Sequence, residues 1–131
     1  MTFFAEMTFF ADQVWDGRGY IGGWTELSAT SPVVSPATGA TLGTVGYGGT
    51  LDIAAAVERA RAAQGDWAAR PAQERAEIMR RAAAVLEKQR AVVERWLVDE
   101  AGSSHGKAAF EVGLVMSEFH HAAATAMMPY G

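Results

Sequence analysis

The spacing of hydrophobic and polar positions changes near Thr50. Before this residue, short apolar pairs such as Val33-Val34 are separated by glycine, proline, serine and threonine, which is typical of strands joined by turns. After it, apolar residues recur every three or four positions, as on one face of a helix. The pattern predicts an α+β chain in which a small hairpin or meander over residues 18–46 is followed by three helices.

Local signals indicate where the first two helices begin and end. Thr50 is a good N-cap for the first helix, and Gly65 suits the left-handed position that follows a helix. Pro71 suits the first position of a second helix, which leaves Arg70 before it without an oxygen to accept the free amides. The second helix is expected to be long and to end at Gly102.

The third predicted helix is apolar on more than one side. Ser104 can cap it, and Pro129 prevents it from continuing. Phe110, Leu114 and Met116 lie outside its main stripe, and a helix with two apolar sides is usually covered on both. Little of the chain is left to cover the second side, which suggests that part of the protein is missing. The main stripe consists of Ala108, Val112, Val115, Phe119, Ala122 and Ala126.

Composition and charge argue against several classes of function. With a net charge of −4, the chain has no basic field that would attract nucleic acid or anionic lipid. It contains no cysteine, so disulfides, thiolate metal sites and cysteine nucleophiles are excluded within it. No apolar run is long enough to cross a bilayer, and the first residues lack the positive region of a signal peptide. A cytoplasmic protein without nucleic-acid or membrane partners is expected.

The beginning of the chain carries a short tandem repeat, residues 1–6 followed by residues 7–12. Each copy is too short to be a structural repeat and could reflect a duplicated start region. A loosely ordered terminus is the simplest interpretation. Residues 1–17 are therefore expected to form an extension that precedes the folded part of the chain.

Two glycine-rich stretches could bind a nucleotide, but both match such sites poorly. Gly17, Gly19 and Gly22 follow the G-x-G-x-x-G spacing, yet strand-like residues rather than a helix come next. Residues 46–50 follow a candidate strand and open a helix, so their amides could bind an anion. No second strand with a ribose-binding acid follows, and a plain strand-to-helix turn is favoured.

The histidines do not form a complete catalytic or metal site. Glu118 and His121 have the Glu-x-x-His spacing of di-iron bundles, but the chain has no second motif of this kind. His105 stands alone in a turn rich in serine and glycine. Surface histidines are the favoured interpretation. From its residues alone, the chain is a helix-rich α+β unit without a complete active site.

An ordered series of local matches resembles the N-terminal portion of NAD(P)-dependent aldehyde dehydrogenases, over about residues 15–131. Within that family, residues 35–39, 110–112 and 129–131 look most like benzaldehyde dehydrogenases, which implies an aromatic aldehyde as substrate. The matching segments are the opening strand at 20–24, the N/S-P-A-T-G turn at 35–39, the first helix from Leu51 to Trp67, the second-helix pattern from Arg75 to Gly102, and Glu111-Val112 with the alanine-rich stretch after it.

The resemblance implies that residues 18–131 are the N-terminal part of the family's α/β NAD(P)-binding domain. In the family a cysteine thiolate attacks the aldehyde, hydride passes to NAD or NADP, and water hydrolyses the thioester. The catalytic and nucleotide-binding residues would lie beyond residue 131. The chain alone is then expected to have no catalytic residue, to bind no cofactor and to be inactive. Its partners would be the remainder of the dehydrogenase and further copies in a homo-oligomer.

Two weaker assignments also follow from the resemblance. The family's third helix contributes to the aldehyde tunnel, and the matching positions are Phe110, Leu114 and Gly113, although ordinary packing is equally compatible. Some members bind a monovalent cation near Glu100, where a solvated acid at a helix end is the simpler interpretation. A stand-alone helical interaction module remains the alternative to a piece of an enzyme. The specific aldehyde, the choice between NAD and NADP, and the oligomer stay open.

Overall fold

The computed structural model describes residues 15–128, which fold as four strands followed by four helices. The α+β prediction is confirmed, and the strands form two antiparallel hairpins that begin at residue 18 as predicted and end at Tyr47, one residue beyond the predicted region. The tandem repeat and residues 129–131 lie outside the described part of the chain. The first hairpin pairs β1 (Arg18–Tyr20) with β2 (Trp24–Glu26), and the second pairs β3 (Ala29–Val34) with β4 (Thr41–Tyr47).

The backbone conformation of the turns and a close contact between strands explain why glycine occupies three positions in the hairpins. Gly22, between β1 and β2, has a φ of 68°, and Gly39, between β3 and β4, has a φ of 74°. Both values favour glycine because a Cβ atom is strained there. Gly46 has a different reason, since a Cβ atom at this position would lie 2.9 Å from the carbonyl carbon of Arg18. Strands β1 and β4 therefore approach each other closely at Gly46.

The first helix, α1 (Thr50–Ala69), differs from the prediction at both ends. The carbonyl of Gly49 accepts the Ile53 amide at 3.0 Å, so Gly49 rather than Thr50 is the capping position. The end predicted at Gly65 is also wrong. Gly65 does not have a positive φ and the helix continues through it, because a glycine inside a helix costs only about 1 kcal/mol relative to alanine.

The second predicted helix begins one residue later than expected. Pro71 has an extended ψ of 141° and its carbonyl accepts the amides of Glu74 and Arg75 at 3.0 and 3.2 Å. The proline is thus the N-cap rather than the first helical residue, and the prediction was wrong here. Arg70 lies outside the helix, where its Nη1 is 3.8 Å from the Glu74 carboxylate. A hydroxyl at position 70 would not occupy the capping position.

The prediction of one long second helix is wrong as well, since it is divided into α2 (Ala72–Lys88) and α3 (Arg90–Ala101). Gln89 separates them with a φ of −103° and a ψ of 9°. Its amide still donates to the carbonyls of Val85 and Leu86, both at 3.1 Å, so almost no backbone hydrogen bonding is lost at the break. A break of this kind requires no glycine or proline and leaves no clear mark in the sequence.

The last helix, α4 (His105–Ala126), begins as predicted. Gly102 ends α3 in the left-handed conformation, with a φ of 65°, and the Ser104 hydroxyl accepts the Lys107 amide at 3.3 Å. These two local signals are confirmed. The serine satisfies one of the free amides of the first turn and so fixes where α4 begins.

The inner side of α4 is shifted slightly from the predicted stripe. Val115 is 47% exposed, whereas Met116 is half-buried and its sulfur lies 3.7 Å from Arg90 Nη2. Assigning Val115 to the inner side and Met116 to the outer side was therefore wrong. Phe110 and Leu114 are exposed, as their place off the main stripe predicted.

The chain divides into two compact units, residues 1–64 and residues 65–131. In the second unit α4 packs against both α2 and α3. Small side chains form the buried contact, which lets the helices approach closely. Within residues 15–128, no helix is both long and apolar enough to cross a membrane. The buried apolar residues of the described part are Ala76, Ala83, Ala108, Val112 and Ala123.

Candidate functional site

The three tunnel candidates lie on the outer side of α4. Phe110 is 68% exposed and Leu114 is 49% exposed, and residues four apart in a helix share one face. Gly113 is half-buried, and nothing lies within 4 Å of the position where its Cβ atom would be. The structure thus leaves free space around these positions. That these three residues line a tunnel for the aldehyde stays a prediction.

Leu114 also borders an apolar groove of about 370 Å³ in the second unit. Its walls come from the end of α2, from α3 and from α4, and almost all of the lining side chains are hydrocarbon. A depression of this size and composition normally holds apolar groups of a ligand or a partner. The lining residues of the apolar groove are Leu86, Val93, Leu97, Glu111, Val112, Leu114 and Val115.

The cation candidate Glu100 is exposed near the end of α3. In the described part of the chain, no three histidine, aspartate or glutamate side chains are grouped so that they could hold a metal ion. The Glu-x-x-His pair is a surface contact, in which His121 Nδ1 lies 3.5 Å from the Glu118 carboxylate and both side chains are mostly exposed. A cation near Glu100 stays a prediction.

The glycine-rich loop before α1 is occupied by a carboxylate of the chain itself. Asp52 accepts the amide of Gly49 at 2.9 Å, the amide of Ser28 at 3.2 Å and also the Ser28 hydroxyl. The Ser28 hydroxyl, followed by the Gly49 and Ser28 amides, lowers the pKa of Asp52. Because the carboxylate already uses these donors, the loop is a capped strand-to-helix turn, as favoured from the sequence.

Asp16 has a comparable role beside strand β4, and the sequence did not reveal it. Its carboxylate accepts the Thr44 hydroxyl at 2.6 Å and the Thr44 amide at 2.7 Å. These two bonds lower the pKa of Asp16, the hydroxyl bond most of all. The partners are far apart in sequence, and no local pattern announces the contact. Asp16 attaches the segment before β1 to strand β4.

A second cavity, of about 430 Å³, lies in the helical unit around Arg75 and was not predicted. The Nε atom of Arg75 is buried and has no hydrogen-bond partner within residues 15–128. Trp67 and Met79 provide apolar walls, whereas Glu118 and His121 provide polar ones. We call this space the Arg75 cavity. Its lining residues are Trp67, Arg75, Met79, Glu118, His121, Ala122, Thr125 and Ala126.

Comparison with known proteins shows the family to which this chain is similar. The model of the aldehyde dehydrogenase family matches residues 24–131. A vanillin dehydrogenase of Amycolatopsis sp. is 40% identical over 126 residues, which are 95% of this chain and 26% of the relative. The benzaldehyde dehydrogenase [NAD(+)] of Pseudomonas putida is 36% identical over 119 residues, which are 90% of this chain and 24% of the relative.

A solved structure agrees with these sequence matches. The crystal structure of a NAD-dependent benzaldehyde dehydrogenase from Corynebacterium glutamicum superimposes with a TM-score of 0.80 at 32% sequence identity. The superposition covers 89% of this chain and 26% of that one. The chain therefore spans about a quarter of the length of the relatives that it matches.

Proposed function

Because the chain belongs to the aldehyde dehydrogenase family, we propose that it forms the N-terminal part of a NAD-dependent enzyme that oxidises an aromatic aldehyde to the carboxylic acid. The observation that carries this proposal is the agreement among relatives. The vanillin dehydrogenase of Amycolatopsis sp. and the benzaldehyde dehydrogenases of Pseudomonas putida and Corynebacterium glutamicum match 95%, 90% and 89% of this chain, and the latter two carry NAD in their names. Both named aldehydes have the reacting carbonyl attached directly to an aromatic ring.

The catalytic step requires residues outside these 131. The family reaction needs a thiolate to attack the aldehyde carbon, and this chain has no cysteine. The described residues do not fit a dinucleotide either. The glycine-rich loop before α1 is filled by the Asp52 carboxylate, whose negative charge would repel a pyrophosphate. We therefore expect the 131 residues by themselves to oxidise no aldehyde.

The exposed side of α4 supports a structural role within a larger enzyme. Burying a side chain the size of Leu114 or Phe110 is worth roughly 1.5–3 kcal/mol, so leaving both in water forfeits a substantial stabilisation. The apolar groove beside Leu114 offers further surface of the same kind. We propose that the remainder of the dehydrogenase covers this side, and that Phe110, Gly113 and Leu114 then face the aldehyde.

Complementation with a relative tests the proposal. The Amycolatopsis vanillin dehydrogenase, made without its matching first quarter, would be mixed with this chain, with vanillin and with NAD or NADP. We expect neither piece to reduce the cofactor alone and the mixture to reduce it. The relative's own first quarter is the positive control. Activity of this chain alone, or an inactive mixture where the positive control is active, would contradict the proposal.

Substitution on the exposed side of α4 adds a readout for contact with the rest of the enzyme. Phe110→Asp should weaken complementation, because a charge would be buried against an apolar surface. Glu118→Gln is a matched control, since Glu118 is an exposed residue of the same helix whose carboxylate lies 3.5 Å from His121 Nδ1 at the surface. If both variants complement equally well, the remainder of the enzyme does not cover Phe110.

A further inference from the structure

We propose that the Asp16-Gly17 pair is a latent modification site, at which the aspartate isomerises to isoaspartate when strand β4 no longer holds it. This spontaneous reaction is fastest where a glycine follows the aspartate, because glycine has no side chain to shield its amide nitrogen. Asp16-Gly17 is the only aspartate-glycine pair in the sequence. The inference does not depend on the oxidation of an aldehyde.

The reaction takes place between groups of two adjacent residues. The amide nitrogen of Gly17 attacks Cγ of Asp16 and loses its proton, and one carboxyl oxygen leaves as water, so a five-membered succinimide forms. Water then opens the ring. Opening at the main-chain carbonyl of Asp16 leaves the backbone running through the former side chain, which is isoaspartate. One water is released and one is taken up, so no oxidant, reductant or other reagent is required.

Thr44 of β4 holds both reacting groups in the folded chain. Its amide and its hydroxyl donate to Asp16 Oδ1 at 2.7 and 2.6 Å, and its carbonyl accepts the Gly17 amide at 3.1 Å. The carboxyl group must give up two hydrogen bonds and the amide a third before the ring can close. The contact with Thr44 therefore keeps the carboxyl carbon and the nitrogen from reacting.

Ionisation of Asp16 adds to this protection. The ring closes from the neutral carboxyl group, because a carboxylate would have to expel an oxide ion. The Thr44 hydroxyl, followed by the Thr44 amide, lowers the pKa of Asp16, so the neutral form is rarer at neutral pH than in an unfolded chain. Release from Thr44 thus increases both the mobility of the carboxyl group and its neutral fraction.

The other aspartates of the described structure provide internal controls. Asp52, Asp66 and Asp99 all lie inside helices, where the amide that follows each of them belongs to the helical hydrogen-bond pattern. Each is also followed by a residue with a large side chain. Modification is therefore expected at Asp16 and not at these three positions.

Isomerisation would convert a temporary opening of the hairpin into a lasting change. Isoaspartate adds one carbon to the main chain and leaves a carboxylate on a shorter side chain, so the two bonds to Thr44 cannot re-form with the same geometry. The segment before β1 then loses the carboxylate that attaches it to β4.

Incubation of the full 131-residue chain at neutral pH, folded or unfolded in guanidinium chloride, tests the proposal. Isoaspartate is located by peptide mapping and measured by methyl transfer from S-adenosylmethionine with an isoaspartyl methyltransferase. We expect isoaspartate at Asp16 to form about tenfold faster in the unfolded chain, because the folded hairpin must open first. Asp52, Asp66 and Asp99 should form much less in both states.

Substitutions at Thr44 separate its hydroxyl from the fold as a whole. Thr44→Val keeps the branched shape and the backbone bonds but removes the hydroxyl, and it should speed the reaction about fivefold. Thr44→Ser keeps the hydroxyl and should retain the wild-type rate. Asp16→Glu should give no product at this position, because a glutamate has to close a larger ring. Far-UV circular dichroism shows whether each variant is folded.

Three outcomes would overturn the proposal. The first is an equal rate in the folded and the unfolded wild-type chain. The second is the wild-type rate in a folded Thr44→Val chain. The third is an unfolded chain that forms no isoaspartate at Asp16. If Thr44→Val does not fold, the comparison of folded and unfolded wild-type chains decides the question by itself.

Discussion

At the scale of single residues, two carboxylates connect segments of the first unit that are distant in sequence. Asp16 holds Thr44 of β4, and Asp52 holds both Ser28 and Gly49. Each bond favours the charged form of the acid, and the pKa of both carboxyl groups lies below its ordinary value. The charge of these groups is therefore coupled to the folding of the hairpins.

Lowering the pH should consequently weaken the first unit. The folded-state pKa of Asp52 is lowered relative to about 3.9 in an unfolded chain. Its stabilisation is fully present above the unfolded pKa and disappears as the pH falls through the folded one. We expect the urea concentration at the unfolding midpoint to decrease as the pH is lowered below about 4. The decrease should be less steep in Asp52→Asn. Asp66→Asn is the control, because it changes an exposed residue of the same helix, and it should keep the wild-type dependence of the midpoint on pH. The same dependence in the wild type, Asp52→Asn and Asp66→Asn would contradict the prediction.

Gly46 offers a second test at this scale. A Cβ atom there would lie within 3.1 Å of three backbone atoms of Gly17 and Arg18, which have no freedom to move aside. Gly46→Ala should therefore destabilise the chain by about 1–3 kcal/mol, as forced overpacking does. Gly23→Ala is the comparison, because nothing lies within 4 Å of its Cβ position. Equal denaturation midpoints for the two variants would disprove the close approach.

At the scale of secondary-structure elements, α4 depends on its first turn. The hydroxyl of Ser104 accepts the amide of Lys107, and replacing such a capping residue by alanine costs about 1 kcal/mol. Ser104→Ala should lower the melting temperature measured by circular dichroism. Ser117→Ala, inside the same helix and exposed, should not lower it, since alanine is the better helix former. A lower melting temperature in Ser117→Ala alone would refute the capping role.

The elements also show which features the sequence reveals. Ser104 and Gly102 were predictable because a cap and a left-handed glycine act within one turn of their own position. The division at Gln89 was not, because its amide keeps helical partners and its residue type carries no preference for a break. The cap of α1 was missed because Gly49 has no side-chain oxygen to mark it as a cap, although the Asp52 carboxylate three residues later accepts its amide. The bond from Asp52 to Ser28, which precedes it by 24 residues, leaves no local signal either.

At the scale of the whole molecule, little apolar volume is buried in the described structure. Among residues 15–128, valine is the largest buried apolar residue, while several larger side chains remain in contact with water. The sequence predicted the exposed side of α4, because Phe110 and Leu114 lie off its main stripe. It did not predict the Arg75 cavity, whose walls come from three helices.

The two sides of α4 should respond differently to substitution. Leu114 is 49% exposed, so Leu114→Gln should reduce self-association and hydrophobic-dye binding with little loss of stability. Val112 is 2% exposed, and Val112→Ala should cost about 1–2 kcal/mol because it removes buried methyl groups. Sedimentation velocity and urea denaturation would measure the two effects. A large loss of stability in Leu114→Gln would show that this side is covered in solution.

The position of Asp52 has a consequence for any anion that reaches the start of α1. The carboxylate is attached to the same helix that it caps, so it acts as a tethered competitor for the Gly49 amide. Short tethers give an effective concentration on the order of millimolar. A free phosphate at micromolar concentration would be displaced by this built-in ligand. A dilute anion therefore finds the Gly49 amide already occupied, without any loop having to cover the helix end.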